Sequence, residues 1–471
     1  MILLAMMVST GLVAIDSTII ATAVPSIVRD LGSFSSFPWL FSIYLLASAV
    51  TVPVYSKLAD TIGRKPLLLF GIAVFLLGSV LAGLSWSMPV LILARAVQGL
   101  GAGAIGPIAI TVIGDIYTLE ERARVQGYMA SVWAISAVAG PTLGGLFAQF
   151  GIWRGIFWVN LPLGIAAAWL LARHFHESVR KRTHRIDYAG AATLTGATTL
   201  LMLGILEGGD AWAWNSPASF AMFGAGAALL TAFVFIELHA AEPVLPLGLF
   251  RRRIVASTTF LGFGVGMGIA GLTAFIPTYL EVGTGAPPVV AGLALATFTI
   301  GWPLAAATAG RLYLRWGFRP TSTLGGVVLV AGATTLALLG HTPSAISVAV
   351  VCFFIGMGFG YAAVPSLVAV QSSVDWSERG VVTGSNMFAR SMGQSLGAAV
   401  LGAVANAIIF TLGGDAHDPH TIVVASTAVF AAVAVIAAGI LVAAIAMPRR
   451  VELVVTGASS GGNAENLPDP A

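Results

Sequence analysis

The sequence predicts an all-α integral membrane protein, built as two six-helix bundles with two additional transmembrane helices. Three observations support this prediction. Hydrophobic residues make up 57% of the 471 residues and charged residues only 9%, with a mean hydropathy of +0.92, whereas soluble domains carry about 25% charged residues. About fourteen apolar segments are long enough to cross a bilayer, and several motifs of the first half of the chain recur in the second.

The apolar segments determine the predicted number of helices. A transmembrane helix needs roughly 20 mostly apolar residues. The 55 glycines are expected at contacts between such helices, because small residues let membrane helices approach closely. The segments fall near residues 2–26, 39–56, 67–86, 89–113, 127–150, 154–172, 188–206, 217–238, 255–280, 288–310, 321–340, 345–371, 382–411 and 421–447.

The positions of lysine and arginine predict the orientation of the segments, because short cytoplasmic loops collect these residues. With the N-terminus in the cytoplasm, the cytoplasmic side receives all but four of the 23 Lys and Arg residues. The exceptions are Arg29 and Arg154 on the external side, and Arg95 and Arg390 within segments 4 and 13. The sequence therefore predicts a multi-pass protein of the inner (plasma) membrane with both termini cytoplasmic. The net charge of +3 follows from these loops and indicates no nucleic-acid partner.

Short motifs of the first half recur in the second half. The stretch SKLADTIGRKP (56–66) aligns with GRLYLRWGFRP (310–320), which keeps the glycine, the final basic residue and the proline. QGLGAG (98–103) matches IGMGFG (355–360) at nearly the same offset. Such repetition is typical of transporters built from duplicated bundles.

The repeats divide the chain into four parts. We expect six-helix bundles at 1–172 and 255–447, joined by 173–254, a basic linker that holds the additional segments 7 and 8. These two segments have no repeat partner, and we expect them to lie outside the bundle pair. Residues 448–471 are predicted to be a disordered cytoplasmic tail.

Several motifs together resemble one known family, the major facilitator superfamily, and within it the fourteen-helix drug:proton antiporters. The resemblance implies the major facilitator fold and proton-coupled export of amphipathic or cationic small molecules, that is, multidrug efflux by alternating access. It implies no cofactor, with the proton gradient as the energy source. Ser56 and Thr61 depart from the family pattern, which usually has a glycine and often a basic residue there. The motifs are AIDSTIIATAVP in segment 1, LADTIGRK after segment 2, LARAVQGLGAG in segment 4, GYMASVWAISAVAGPTLGG in segment 5 and WRGIFWVNLPLG at segment 6.

The loop motif after segment 2 is a candidate gate. Gly63 permits a tight turn, and Asp60 can accept hydrogen bonds from a neighbouring helix N-terminus or pair with Arg64. We expect this cluster to hold the two bundles together on the cytoplasmic face in one state and to release them in the other. An ordinary solvated loop is the alternative. The gating set also includes candidate partners in this loop and the next cytoplasmic loop, namely Lys65, Glu121 and Arg122.

Segment 5 carries a run of small residues and one proline. Proline removes a backbone hydrogen bond and glycine leaves room for a bend or a close contact. From the resemblance to the antiporter motif we expect a hinge or an interbundle seal here, and a plain helix contact is the alternative. The candidate residues are Gly127, Gly140, Pro141, Gly144 and Gly145.

Segment 13 presents a polar face inside the membrane. Asn386, Arg390 and Gln394 recur every four residues and so share one face of a helix. A polar face at mid-membrane depth usually lines an aqueous cavity, and a buried structural ion pair is the alternative. We expect these residues, together with Trp133 and Gln98, to line a substrate cavity. Trp133, Met129 and Met387 would give it a pliable apolar wall, and ordinary packing is the alternative for each of these three.

Asp16 is a full charge in the middle of apolar segment 1, which costs roughly 2.5–3.5 kcal/mol on insertion scales. The helix directions place Asp16 and Arg95 at matching depths below the external face, so Arg95 is the leading partner. In the repeat, Arg95 falls on Cys352 and Asp16 on Ala270, so the pair is not duplicated. We expect this pair to couple protons to transport, with a substrate cation able to compete for the carboxylate. A static ion pair is the alternative.

Other functions are weighed against the same residues. An exporter of a native lipid, siderophore or metabolite, or an importer, is the nearest alternative, and a membrane-embedded enzyme or sensor is the alternative of another class. No Ser/His/Asp or paired-carboxylate set lies within the segments, and no GxxxxGK[ST] phosphate motif occurs. We therefore expect no enzymatic activity, no cofactor and no metal. The expected partners are an amphipathic small molecule, protons and membrane lipids, and the protein is expected to be a monomer.

Overall fold

The computed structural model describes most of the chain. For a few residues inside helices, Pro141 among them, only the backbone is described. The predicted tail lies outside the described residues, apart from Pro448 and Arg449. The described residues are 1–449 except 32–38, 178–186, 209–211, 241–242, 244, 246, 340–343 and 413–417.

Within the described residues, fourteen helical spans are long and apolar enough to cross a membrane, which confirms the predicted number. Two short helices, α6 and α7, together form the sixth span. In chain order the helices are α1 (Ile2–Leu31), α2 (Trp39–Ile62), α3 (Arg64–Gly83), α4 (Met88–Ile116), α5 (Leu119–Gln149), α6 (Gly155–Trp158), α7 (Asn160–His174), α8 (Tyr188–Glu207), α9 (Pro217–His239), α10 (Arg253–Thr284), α11 (Pro288–Trp316), α12 (Phe318–Leu338), α13 (Ala345–Ser372), α14 (Trp376–Thr411) and α15 (Pro419–Ala446).

The helices extend further into the predicted loops than the apolar runs indicate. α2 ends at Ile62 and α3 begins at Arg64, so the loop motif is mostly helical and only Gly63 interrupts it. Gly63 has a φ of 114°, a conformation that favours glycine. Gly317 makes the equivalent turn between α11 and α12, with a φ of 93°. The apolar runs stop at the membrane surface, whereas helical hydrogen bonding continues through polar residues beyond it.

The start of α5 shows the same extension. The helix begins at Leu119, ahead of the predicted start at residue 127. Thr118 Oγ1 accepts a hydrogen bond from the Glu121 N–H at 3.4 Å, and the Glu121 carboxylate accepts one from the Thr118 N–H at 2.9 Å. This reciprocal pair is a capping box, which satisfies backbone donors at a helix start.

Apolar side chains cluster separately in the two halves of the chain. Phe75 and Ile105 belong to a cluster within α1–α7, which has a second cluster around Trp153. Phe359 and Phe430 belong to a cluster that joins α10 to α15. We refer to α1–α7 as the first half and to α10–α15 as the second half. The predicted domain boundaries themselves stay a prediction.

The two additional helices, α8 and α9, pack against each other beside the seam between α2 and α14. Met202 of α8 belongs to a cluster with Leu46 and Val50 of α2 and Met392 of α14. Glu237 near the end of α9 accepts a hydrogen bond from the backbone N–H of Leu245. Among the described residues, neither α8 nor α9 contributes to the cavity described below.

Glycines bring helices close together at equivalent places in the repeat. A Cβ atom on Gly101 of α4 would lie 2.5 Å from the backbone nitrogen of Phe75 and 2.6 Å from the carbonyl oxygen of Gly71. In the second half, a Cβ atom on Gly358 of α13 would lie 3.1 Å from the carbonyl oxygen of Gly325 on α12. The glycine motifs that recur in the sequence therefore pack α3 on α4 and α12 on α13 in the same way.

We expect Gly101→Val to lower the melting temperature of the detergent-solubilised protein by several degrees. The new side chain meets backbone atoms, which move less easily than a flexible side chain, and overpacking a core costs about 1–3 kcal/mol. Differential scanning fluorimetry measures the change. Gly292→Val is the matched control, since a Cβ atom on Gly292 of α11 would have no neighbour within 4 Å. Equal melting temperatures for the two variants would contradict the close packing inferred at Gly101.

Candidate functional site

A polar cluster inside the membrane surrounds Asp16. Arg95 Nη1 donates to Asp16 Oδ2 at 2.6 Å, and both side chains are 1% exposed. Gln98 Nε2 and Asn160 Nδ2 donate to Asp16 Oδ1 at 3.1 and 2.8 Å. Asp16 of α1 therefore accepts hydrogen bonds from two side chains of α4 and one of α7.

A second layer of contacts fixes these donors. Ser79 Oγ accepts hydrogen bonds from the Gln98 amide at 2.7 Å and from the Asn160 amide at 3.2 Å. The Arg95 guanidinium lies 4.1 Å from the centroid of the Tyr44 ring, close enough for a cation–π contact. A buried charge persists only when it is paired and hydrogen-bonded. The cluster supplies both conditions for Asp16 and Arg95.

The cluster is packed away from the cavity between the halves. Gln98 is fully buried within it and does not line the cavity, so the expectation that Gln98 is a cavity residue is not met. The Asp16 carboxylate is surrounded by protein donors, so a substrate cation does not reach it in this arrangement. The structure brings Asp16 and Arg95 together, and their role as a proton-coupling pair stays a prediction.

A second polar cluster joins the two halves at one end of the bundle. The Asp60 carboxylate of α2 accepts hydrogen bonds from the backbone N–H groups of Gly380 and Val381 near the start of α14, at 3.2 and 3.0 Å. It also pairs with Arg64 at 2.6 Å. Negative charge is favourable near a helix N-terminus. We call this the basic end, after its three buried arginines, Arg64, Arg122 and Arg379.

Arg64 of α3 contacts the second half directly. Its Nη2 donates to the Trp376 carbonyl oxygen at 2.9 Å, and its guanidinium lies 3.7 Å from the centroid of the Trp376 ring. Asp115 of α4 pairs with Arg64 at 3.0 Å and with Arg379 of α14 at 3.2 Å. One carboxylate therefore bridges two arginines from opposite halves.

Arg122 adds a further link at the basic end. Its Nη1 donates to Ser372 Oγ of α13 at 3.1 Å, and it also donates to the carbonyl oxygen of Gly114. Tyr313 of α11 donates to the carbonyl oxygen of Leu119 at 3.3 Å. Among the described residues, every hydrogen bond between the halves lies at this end, so the two halves are closed together here.

Two predicted gating residues do not join the halves. Lys65 donates its ammonium to the Ala172 carbonyl oxygen at 2.8 Å and its backbone N–H to Glu177, both within the first half or just after it. Glu121 caps the start of α5 and does not act as a counter-charge to the arginines. Asp115 is the counter-charge instead. It lies at the end of α4, within reach of Arg64 and Arg379, whereas the Glu121 carboxylate is used in the capping box of α5.

The α5 glycines make different contacts. A Cβ atom on Gly127 would lie 3.0 Å from Cα of Ala307 on α11, so this glycine forms part of the contact between the halves. Gly140 packs against Thr18 of α1, within the first half. The first position fits the expected interbundle seal, and the second is a plain helix contact.

The remaining residues of that motif show no common contact. Gly144 is buried, and a Cβ atom on Gly145 would have no neighbour within 4 Å. The side chain of Pro141 lies outside the described residues. Because α5 runs as one helix from Leu119 to Gln149, the structure contains no break at the predicted hinge.

A cavity of about 150 Å³ lies between the halves, on the membrane side of the basic end. Seven helices line it, namely α1, α4, α5, α10, α11, α13 and α14. Its larger apolar residues are Met129, Trp133, Trp302 and Met387, and its polar residues are Thr10, Gln126, Ser366, Asn386 and Arg390.

The predicted polar face of segment 13 meets this cavity in part. Asn386 and Arg390 line it, as does Trp133 of α5, whereas Gln394 does not. Asn386 Nδ2 donates to the Thr258 carbonyl oxygen at 2.8 Å. Arg390 lies about 21 Å along α14 from the first helical residue. Gln394 lies one helical turn after Arg390 and is not among the described residues that line the cavity.

The opposite end of the first half carries a solvent-exposed pair. Arg154 Nη1 donates to Asp30 Oδ2 at 2.7 Å, and Trp153 Nε1 donates to the same oxygen at 3.1 Å. These two hydrogen bonds lower the pKa of Asp30 below its ordinary value. Water and salt screen exposed pairs of this kind, so they contribute little to stability, and this site offers a control for the buried carboxylates.

Sequence reasoning missed four residues of these clusters. Asn160, Asp115 and Trp376 contact predicted site residues, and Arg379 pairs with Asp115. Asn160 is a polar residue inside an apolar segment, and Asp115 is an acid at the end of another, so both carried a usable signal. Arg379 also carried a signal, because EERARVQG (120–127) aligns with SERGVVTG (377–384) in the repeat and places Arg379 on Arg122. Trp376 lies in a stretch whose sequence is typical of an ordinary polar loop, and only the packing of α14 gives it a partner.

Comparisons with known proteins agree with this architecture. The profile of the Major Facilitator Superfamily matches residues 6–398. Multidrug resistance protein 3 of Bacillus subtilis is 34% identical over 395 residues, covering 83% of this chain and 76% of that protein. Multidrug transporter protein MdtP of the same organism is 33% identical over 394 residues, covering 84% and 73%.

A solved structure supports the fold alone. The crystal structure of the human organic anion transporter MFSD10 (TETRAN) superposes with a TM-score of 0.64, covering 93% of this chain and 98% of that one. The two sequences are only 12% identical. At this level of identity the similarity concerns the arrangement of the helices and says nothing of a substrate.

Proposed function

This chain belongs to the Major Facilitator Superfamily, and we propose that it exports amphipathic small molecules in exchange for protons. It is a multi-pass membrane transporter and not an enzyme, as its relatives are transporters. The names of those relatives, a multidrug resistance protein and a multidrug transporter, support efflux of more than one compound. The proton-coupled antiport is our proposal.

One observation carries the proposal, the cavity that is closed at the basic end by bonds between the halves. Asp60, Arg64 and Asp115 of the first half bond to Trp376, Arg379 and Gly380 of the second. Alternating access requires contacts of this kind, which form on one side in one state and break in the other. With the basic end in the cytoplasm, as the lysine and arginine positions predict, this arrangement is closed toward the cytoplasm.

We propose that Asp16 and Arg95 couple protons to transport. Protonation of Asp16 would remove the negative charge to which Arg95, Gln98 and Asn160 donate hydrogen bonds. Proton binding would therefore weaken the contacts of α1 with α4 and α7, which links protonation to conformation. Each proton entering the cell contributes about 2.3 kcal/mol per 100 mV of membrane potential. That free energy corresponds to about a fiftyfold substrate gradient. No cofactor is needed for this cycle, and a monomer in the plasma membrane suffices.

The proposal is tested with inside-out membrane vesicles from cells that produce the protein. Respiration acidifies the vesicle lumen, and we expect at least one of three dyes, ethidium, Nile red or fluorescein, to accumulate inside while the lumen becomes less acidic. Dissipating the proton gradient with nigericin and valinomycin should stop both changes. Vesicles without the protein are the control. Accumulation that survives loss of the gradient would contradict proton coupling, and no accumulation of any dye would contradict export.

A further inference from the structure

Arg390 gives the cavity a positive charge. It is the one formally charged side chain among the described residues that line the cavity. The buried carboxylates nearest the pathway have arginines of their own, since Asp16 pairs with Arg95 and Asp60 pairs with Arg64. Arg390 has no carboxylate or hydrogen-bond acceptor among the described residues, and its contact is the Trp302 ring, whose centroid lies 5.1 Å from the guanidinium carbon.

Other groups in the same cavity can also donate hydrogen bonds. The Thr10 hydroxyl is buried and has no hydrogen-bond partner in the described structure. The Gln126 amide lines the cavity, and no described protein group bonds to it. The Asn386 amide is already used on Thr258. Unused donors therefore come from both halves, Thr10 and Gln126 from the first and Arg390 from the second.

These features favour a negatively charged ligand over a positively charged one. A cation inside the membrane is costly unless a counter-charge or water compensates it, and a guanidinium binds carboxylate, sulfonate or phosphate oxygens with charge-assisted hydrogen bonds. A cationic ligand would add a second positive charge beside Arg390. An aromatic ring could offset this through a cation–π contact. Of the two tryptophans that line the cavity, Trp302 already contacts the guanidinium, which leaves only the Trp133 ring for such a contact.

We infer that the substrates of this transporter are small amphipathic anions, with an apolar body against the Met and Trp side chains and an acidic group on Arg390. This inference rests on the proposed function and replaces the expected cationic substrates. The exchange of one such anion outward for one proton inward moves two charges across the membrane. Export would therefore respond to the membrane potential as well as to the pH difference.

The test is equilibrium binding to the full-length protein in detergent, measured by isothermal titration calorimetry. The probes share a single-ring body, because the cavity in this closed arrangement, with a volume of about 150 Å³, holds a benzene-sized group. They are phenylacetate, 2-phenylethylammonium and the neutral phenylacetamide. The proteins are the wild type, Arg390→Gln, Arg390→Lys and the control Arg315→Gln, which removes an exposed arginine from the end of α11.

We expect the wild type to bind phenylacetate at least about tenfold more tightly than 2-phenylethylammonium, the effect of one charge-assisted contact. Arg390→Gln should remove that preference and retain phenylacetamide binding, which also shows that the variant is folded. Arg390→Lys should keep the sign of the preference, and Arg315→Gln should match the wild type. A wild type that prefers the ammonium, or binds none of the three, would overturn the inference, as would an unchanged preference in Arg390→Gln.

Binding in detergent requires neither transport nor a proton gradient. An anion preference that disappears with Arg390→Gln would therefore stand even if the vesicle experiment showed no proton-driven export. Conversely, proton-driven accumulation of ethidium without any of fluorescein would support export and contradict the anionic substrate class. The two proposals can thus fail separately.

Discussion

Asp16→Asn is expected to reduce proton-driven accumulation of substrate in inside-out vesicles by at least about tenfold, because one coupled proton supports about a fiftyfold gradient per 100 mV. The substitution keeps the size of the side chain and removes the protonatable group. It also leaves the Arg95 guanidinium without the counter-charge that now lies 2.6 Å away. Removing one partner of a buried ion pair costs about 3–5 kcal/mol, so loss of coupling has to be separated from loss of folding.

A double variant makes that separation. Asp16→Asn with Arg95→Gln neutralises both partners, and we expect it to recover much of the lost thermal stability without recovering proton-driven accumulation. Asp30→Asn is the matched control, because the same change at an exposed carboxylate with an arginine partner removes only a weak pair. Dye-driven alkalinisation of the vesicle lumen by either Asp16 variant would show that Asp16 is not the coupling group.

Asp60→Asn is expected to open the cytoplasmic side of the cavity and to lower transport about tenfold. The Asp60 carboxylate holds the N–H groups of Gly380 and Val381 as well as Arg64. Hydrogen bonds to a charged group contribute about 1.5–3 kcal/mol each, and about 1.4 kcal/mol shifts a two-state equilibrium tenfold. In the variant, the two halves should therefore be separated at the basic end for a larger fraction of the time.

Cysteine labelling measures that shift directly. Cys352 is the single cysteine and is buried, so Cys352→Ala gives a background into which Ser366→Cys places a thiol in the cavity lining. A membrane-impermeant maleimide added to inside-out vesicles should label this thiol about tenfold faster when Asp60 is replaced by Asn. Glu120→Gln, at an exposed acid beside the same end, should not change the rate. Equal labelling in all three backgrounds would contradict the closing role of Asp60.

Apolar length and charge position predicted most of the fold. The number of spans followed from hydropathy, because an unsatisfied backbone is excluded from lipid and an apolar run of sufficient length has to be helical. The turn glycines followed from the repeat, and Gly63 and Gly317 both have the positive φ that their turns require. Helix ends were less accurate, since α5 starts at a capping box that hydropathy does not register.

The candidate site was predictable where a residue type is costly in lipid. Asp16, Arg95 and Arg390 stand out in the sequence because a charge in an apolar segment has to be compensated or solvated. The matching depths of Asp16 and Arg95 even indicated the partner. Depth along a helix can be calculated from the sequence, because each residue advances the helix by about 1.5 Å.

Only the tertiary structure decided which polar residues face one another. Gln98 and Arg390 are both polar residues in apolar helices, yet Gln98 bonds to Asp16 inside the first half while Arg390 faces the cavity. Asp115, not Glu121, bridges the arginines of the two halves. The rotation of a helix about its axis, and the helix it packs against, depend on the close packing of all its neighbours, so the sequence determined the spans and their charges and the packing determined the pairs.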